Sequence, residues 1–282
     1  MARQKIGCNC MNIFEILAKR DIRPTDEFRR LVKLFNIQWE ENLYEKQSLK
    51  EYISCCFFVL PIRQSFLTID EVLTELGIAE KTPYGVEWNI LFRYCEFLKN
   101  LMLQADFFIK KNEHATSIVK VITDNINIIL EKTNHEWGQI KEGYVIVDKN
   151  PATTEAIECL ENNKVNLALN MIEYNRVLLK GNLTRKREIL VALADYTEPM
   201  NNDFKGTQYA ALYSDSRYLV NAIDIRHNNS GKGDLPEKAK SWTSQEKEAW
   251  YDKTYQVLLT VILARKHIDV SKEIQDLKLA RN

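Results

Sequence analysis

Gly143-Tyr-Val-Ile-Val-Asp148, preceded by His135-Glu-Trp-Gly138, is the stretch that decides the fold. A β-branched run bounded by glycine on one side and by Asp-Lys-Asn-Pro on the other predicts a strand. With Trp137 to Ile140 it makes one small hairpin. No other segment carries a convincing strand pattern, so the chain on either side is expected to be helical. The expected fold is mainly α, with two helical parts joined by this hairpin. The boundaries are a helical domain over residues 1–134, of no assignable role, a β-hairpin junction over 135–150, and a helical bundle over 151–282.

Upstream of the hairpin, Arg23-Pro24-Thr25-Asp26-Glu27 is a helix start, with a proline, a hydroxyl and acids in the first turn. Leu31, Leu34, Phe35 and Trp39 follow at helical spacing. Leu49, Tyr52, Ile53, Cys56 and Leu60 predict a helix over 48–62 that Pro61 stops. Thr68-Ile-Asp-Glu71 is a capping box, and Gly77 ends the short helix behind it. Two long runs follow, about 86–110 and 115–133.

Downstream, Thr153 or Thr154 caps a helix that ends near Leu160. A second begins at Asn166 and is closed by Gly181. A third, 183–198, is stopped by Pro199, and a fourth spans about 207–227. The last helix opens on a second capping box, Thr243-Ser-Gln-Glu246. It carries Trp250, Thr254, Leu258 and Ile262 as a core stripe to about His267.

Composition agrees with helices. Nine glycines and six prolines in 282 residues argue for long helices and short loops. The formal net charge is zero, with 19 basic against 21 acidic residues through Asp148 and 20 against 18 after it, so the whole chain is no polycation. No apolar stretch approaches the ~18–20 residues that span a bilayer. The basic N-terminus has no apolar core behind it, so a secretory signal is not read there. The expected location is cytoplasmic, with no membrane contact. The six cysteines show no paired CxxC spacing, so no metal site and no cofactor are expected. His114, His135 and His267 each sit alone and read as structural.

One segment holds more polar chemistry than a helix end needs: Asn221-Ala-Ile-Asp-Ile-Arg-His-Asn-Asn-Ser-Gly-Lys-Gly-Asp234. Arg226 supplies a planar fork of donors suited to phosphate, and His227 trades a proton near neutral pH. Asn228 and Asn229 add orienting amides, and Lys232 a second phosphate contact. The same residues also read as an ordinary helix terminus, where cations meet the negative end of the dipole and glycine follows.

Together with Glu173-Tyr-Asn-Arg-Val-Leu-Leu-Lys-Gly-Asn-Leu-Thr-Arg-Lys-Arg-Glu-Ile-Leu190, this segment resembles the C-terminal HEPN-type helical domain of bacterial abortive-infection proteins, over residues 144–268. The resemblance implies a four- or five-helix bundle that forms a homodimer and, in active members, cuts RNA without a metal. Arg226 matches the family's arginine and His227 its polar neighbour. The downstream histidine is absent, and Lys232 stands in its place. Arg226, His227, Asn228, Asn229 and Lys232 are thus the candidate catalytic group. A two-fold dimer would supply an acid and a base from one histidine per subunit.

Between Tyr174 and Arg187 lie five basic residues, Arg176, Lys180, Arg185, Lys186 and Arg187, and no acid. They form a candidate nucleic-acid-binding patch. The expected function is that of an RNA-targeting antiviral effector, either a metal-independent endoribonuclease or an RNA-binding relative. The alternative is a non-catalytic helical module for dimerisation and contact with a protein partner.

Overall fold

A computed structural model describes residues 21–40, 46–78, 85–160, 164–226, 239 and 241–280. It is mainly helical, with two small antiparallel β-hairpins. The chain divides into two compact units, Met1–Thr133 and Asn134–Asn282.

In the first unit, α1 (Pro24–Phe35) starts with Pro24 in its first turn and Asp26 and Glu27 beside it. The helix ends at Phe35, and Trp39 lies instead in β1 (Gln38–Glu40), paired antiparallel with β2 (Lys46–Ser48). The four-residue step from Phe35 to Trp39 mimics a helical period, but Trp39 is the inward residue of a three-residue strand. Ser48 closes β2 and caps α2 (Leu49–Ser54) through a capping box with Glu51.

The helix expected over 48–62 stops at Ser54. Leu60 is extended, as the residue before proline must be, and two short 3-10 turns carry the chain past Pro61. The next helix, α3 (Ile69–Glu75), is capped by Thr68, and Gly77 ends it at φ 68°. One long run becomes α4 (Trp88–Gln104) and α5 (Asp106–Ile109), broken at buried Ala105. The other is α6 (Glu113–Lys132), capped by Asn112. Phe28, Leu31 and Phe35 of α1 pack with α4 and α6 to form this unit's core.

The second unit opens with β3 (His135–Ile140) and β4 (Gly143–Asp148), in register from His135↔Asp148 to Ile140↔Gly143. Asn150, not Thr153 or Thr154, caps α7 (Pro151–Glu158), because Pro151 already occupies the first helical position. After α8 (Val165–Tyr174) comes a 3-10 turn at Val177–Leu179, and Gly181 then turns the chain at φ 84°. Asn182 caps α9 (Leu183–Thr197); α10 (Asn201–Phe204), α11 (Ala210–Ala222) and α12 (Ser244–Leu279) follow.

The hairpin is built into this unit. The Asp148 N–H donates to the Asn175 carbonyl at 2.8 Å, Val147 bridges to Arg176, and bare Gly138 lies against Ile172. At 36 residues α12 is about 54 Å long and central: α7, α9 and α11 all pack on it. Leu190, Leu193, Val220, Leu258 and Leu259 form the buried core between them. Among the described residues no helix is long and apolar enough to cross a membrane.

Candidate functional site

Arg226 lies four residues beyond the end of α11. Its position is set by Asp224, which adopts the left-handed conformation at φ 63° and so stops the helix without glycine. Ile223 and Ile225 on either side are buried and pin the turn, and the Arg226 N–H donates back to the Val220 carbonyl at 3.2 Å. The Asp224 carboxylate meets Lys247 of α12 at 3.0 Å, while its carbonyl accepts the Arg187 Nε–H at 2.9 Å. The turn is therefore tied to both α9 and α12.

From this turn the Arg226 guanidinium reaches the last turn of α9 and the residue after it. Nη2 donates to Asp195 Oδ1 at 2.7 Å, Nη1 donates to Glu198 Oε1 at 2.8 Å, and Nη2 also meets Glu198 Oε2. Arg217 of α11 shares Glu198 at 3.1 Å. The hydrogen bond from Arg226 holds the Glu198 carboxyl below its ordinary range, and the same pair pushes Arg226 further up. Two guanidinium groups and two carboxylates cancel in charge here. Arg226 is thus a fixed donor rather than an uncompensated cation. His227, Asn228, Asn229 and Lys232 lie outside the described residues.

The five basic residues of the second segment do not come together as one face. Successive helical residues point about 100° apart, so the consecutive cations of α9 turn to three different neighbours. Arg185 makes a two-pronged pair with Glu173 at 2.8 and 2.7 Å, holding that carboxyl below its usual range, and a third contact with Glu188. Lys186 is buried between Glu248 at 2.8 Å and Asp252 at 2.7 Å of α12. Arg187 turns to the Asp224 carbonyl. The acids that meet them stand just outside the Tyr174–Arg187 window or more than sixty residues away in α12.

Arg176 and Lys180 lead instead to a cleft of about 910 Å³, bounded by the open end of the hairpin, the α8–α9 connection and the first half of α12. Tyr174 and Tyr255 stack in it with ring centres 4.0 Å apart. The Tyr255 hydroxyl takes a hydrogen bond from Asn175 Nδ2 at 2.8 Å and donates to the Met171 carbonyl at 3.0 Å, with Thr153 Oγ1 also at 3.0 Å. The Tyr174 hydroxyl donates to Asp252 at 3.0 Å. At the hairpin end, His135 Nε2 sits 3.0 Å from Asp148 Oδ1, and its Nδ1 is buried. Sequence reading missed this cleft. Its one local trace is the polar spacing Glu248, Asp252, Tyr255 on the helix that otherwise carries the core stripe.

Among the described residues no group of three His, Cys, Asp or Glu side chains is placed to hold a metal ion. No protein-family model, curated protein or solved structure matches the chain.

Proposed function

We propose that the second unit is a HEPN-like helical bundle that targets RNA, as the effector part of a phage-defence protein, and that the Arg226 end of α11 is where it meets the strand. The observation that carries this reading is the fixed guanidinium. Asp195 in the last turn of α9 and Glu198 just after it hold Arg226 at the start of the Arg-His-Asn-Asn stretch. A donor fixed before the substrate arrives costs no reorganisation when charge develops on a phosphate.

Metal-free RNA cleavage needs a base to take the 2′-hydroxyl proton, an acid for the leaving oxygen, and donors for the dianionic phosphorane. Arg226 keeps its Nε–H and part of its Nη1 edge for such an oxygen, since its bonds to carboxylates use Nη1 once and Nη2 twice. His227 is the proton-transfer group of the reading, and a homodimer supplies it twice. Positioned acid–base groups of this kind contribute roughly 10²–10⁴-fold each.

The test is incubation of the purified protein with single-stranded RNA in EDTA. The expected result is cleavage that both Arg226→Ala and His227→Ala abolish. Folding survives Arg226→Ala, because Glu198 keeps Arg217 and Asp195 is half-exposed. Cleavage that persists in Arg226→Ala moves the active site elsewhere.

A second reading is favoured by the same charges. Because Arg226 is compensated and Lys186 buried, the unit also suits a non-catalytic module for dimerisation and protein contact. RNA that is neither cut nor bound by the wild type puts this reading first.

A further inference from the structure

The cleft beside the hairpin is not used by the Arg226 chemistry. We propose that it is a separate binding site for a small phosphorylated molecule of nucleotide size. The inference does not rest on the RNA reading.

The charges that a ligand meets there are unequal. Each acid that lines the cleft has one oxygen engaged: Asp148 Oδ1 by His135, Glu248 Oε1 by the Gly181 N–H and Lys186, and Asp252 Oδ1 by Lys186 and the Tyr174 hydroxyl. Among the described residues they form no group that could hold a metal ion, and the lining sets four basic side chains against these three carboxylates. The basic residues come from two separate connections. Lys149 lies between β4 and α7, while Arg176 and Lys180 lie between α8 and α9, and all three line the same space. Lys149 and Lys180 are exposed at its rim. Cations converging from separate segments, one of them a planar guanidinium, fit the oxygens of a phosphate.

Size and reactivity narrow the class. About 910 Å³ lies near the top of the ~300–1,000 Å³ typical of small-molecule sites, which is room for a nucleotide and too much for a bare anion. The one imidazole of the cleft has Nε2 3.0 Å from Asp148 and Nδ1 buried, so neither ring nitrogen is turned to a ligand. Tyr174 and Tyr255 stack on each other and are buried, so recognition falls on phosphate and sugar rather than on base stacking.

Calorimetric titration of the full-length protein with ATP, AMP and sodium pyrophosphate tests this. At least one nucleotide should bind more tightly than about 100 μM, a free energy near −5.5 kcal/mol at that constant. Pyrophosphate alone should bind more weakly. The double variant Lys149→Glu/Lys180→Glu alters only exposed side chains, so its circular dichroism and melting should match the wild type. Its nucleotide affinity should fall at least about tenfold. Arg226→Ala should bind the nucleotide as the wild type does, which separates this site from the RNA reading. Three results overturn the proposal: no binding of any nucleotide at about 1 mM, an affinity unmoved by the double charge reversal, or a single-stranded RNA that binds in the cleft when no mononucleotide does.

Discussion

Two residues carry more of this unit than their neighbours. Asp224 ends α11 in a conformation that glycine or asparagine usually takes, and its carboxylate is nearly buried against Lys247. Asp224→Asn keeps the tolerance for positive φ and removes the charge. The expected cost is about 1–3 kcal/mol in urea unfolding, with the helical signal unchanged. Tyr255 is the other. Burial pushes its hydroxyl from 10.0 up to about 12, against the opposing hydrogen bonds from Thr153 and Asn175. A group whose folded pKa is raised contributes stability below its unfolded value and loses it as pH climbs through the folded one. The second unit should therefore weaken between pH 10 and about 12, and Tyr255→Phe should flatten that part of the pH profile in thermal melts. At this scale the candidate site was half legible. The Arg226 motif is local, whereas its partners Asp195 and Glu198 stand some thirty residues upstream, and Lys247, the partner of Asp224, about twenty downstream, so that all three join the turn only through tertiary packing.

Elements were legible where the signal is short-range. The capping boxes expected at Thr68 and Thr243 depend on a hydroxyl and a carboxylate three residues apart. Thr243 closes the full box with Glu246, whereas at Thr68 the hydroxyl accepts the Glu71 N–H but the Glu71 carboxylate takes the Leu67 N–H instead. The strand Gly143–Asp148 follows from its β-branched run. Three-residue strands leave no such trace, which is why β1 and β2 escaped. The end of α12 escaped for another reason. Past His267 no broad apolar stripe continues, and the helix runs to Leu279 with side-chain pairs such as Arg265 with Asp269 on its exposed surface. The hairpin gives a test of packing between elements. A Cβ added to Gly138 would come within 2.7 Å of Ile172 and 3.0 Å of Val147, so β3 or α8 must shift to admit it. Gly138→Ala should cost about 1–3 kcal/mol, as overpacking does, and should raise hydrogen exchange across β3 and β4 before it affects α12. Exchange that rises uniformly through the unit would contradict a local origin.

At the scale of the whole molecule the question is whether the second unit stands alone. Its internal ties argue that it does. The hairpin is fastened to the α8–α9 connection by the Asp148–Asn175 bond and the Val147 bridge, and α12 carries contacts to α7, α9 and α11. The hydrogen bonds of Tyr255 reach Thr153, Asn175 and Met171, all within Asn134–Asn282. Every residue that lines the cleft belongs to that range as well. Sequence alone could not deliver this, because the cleft joins segments from His135 to Gln256 and no spacing rule links them. A fragment of residues 134–282 should therefore unfold in one cooperative step, with the near-ultraviolet signal expected of its stacked Tyr174–Tyr255 pair. If the full chain cuts RNA and binds a nucleotide as proposed, the fragment should do both. Light scattering on the same fragment should give twice the monomer mass if the composite two-histidine site operates. A strict monomer that still cuts RNA would assign both proton transfers to one subunit. A fragment that is molten would tie the bundle's stability to residues 1–133.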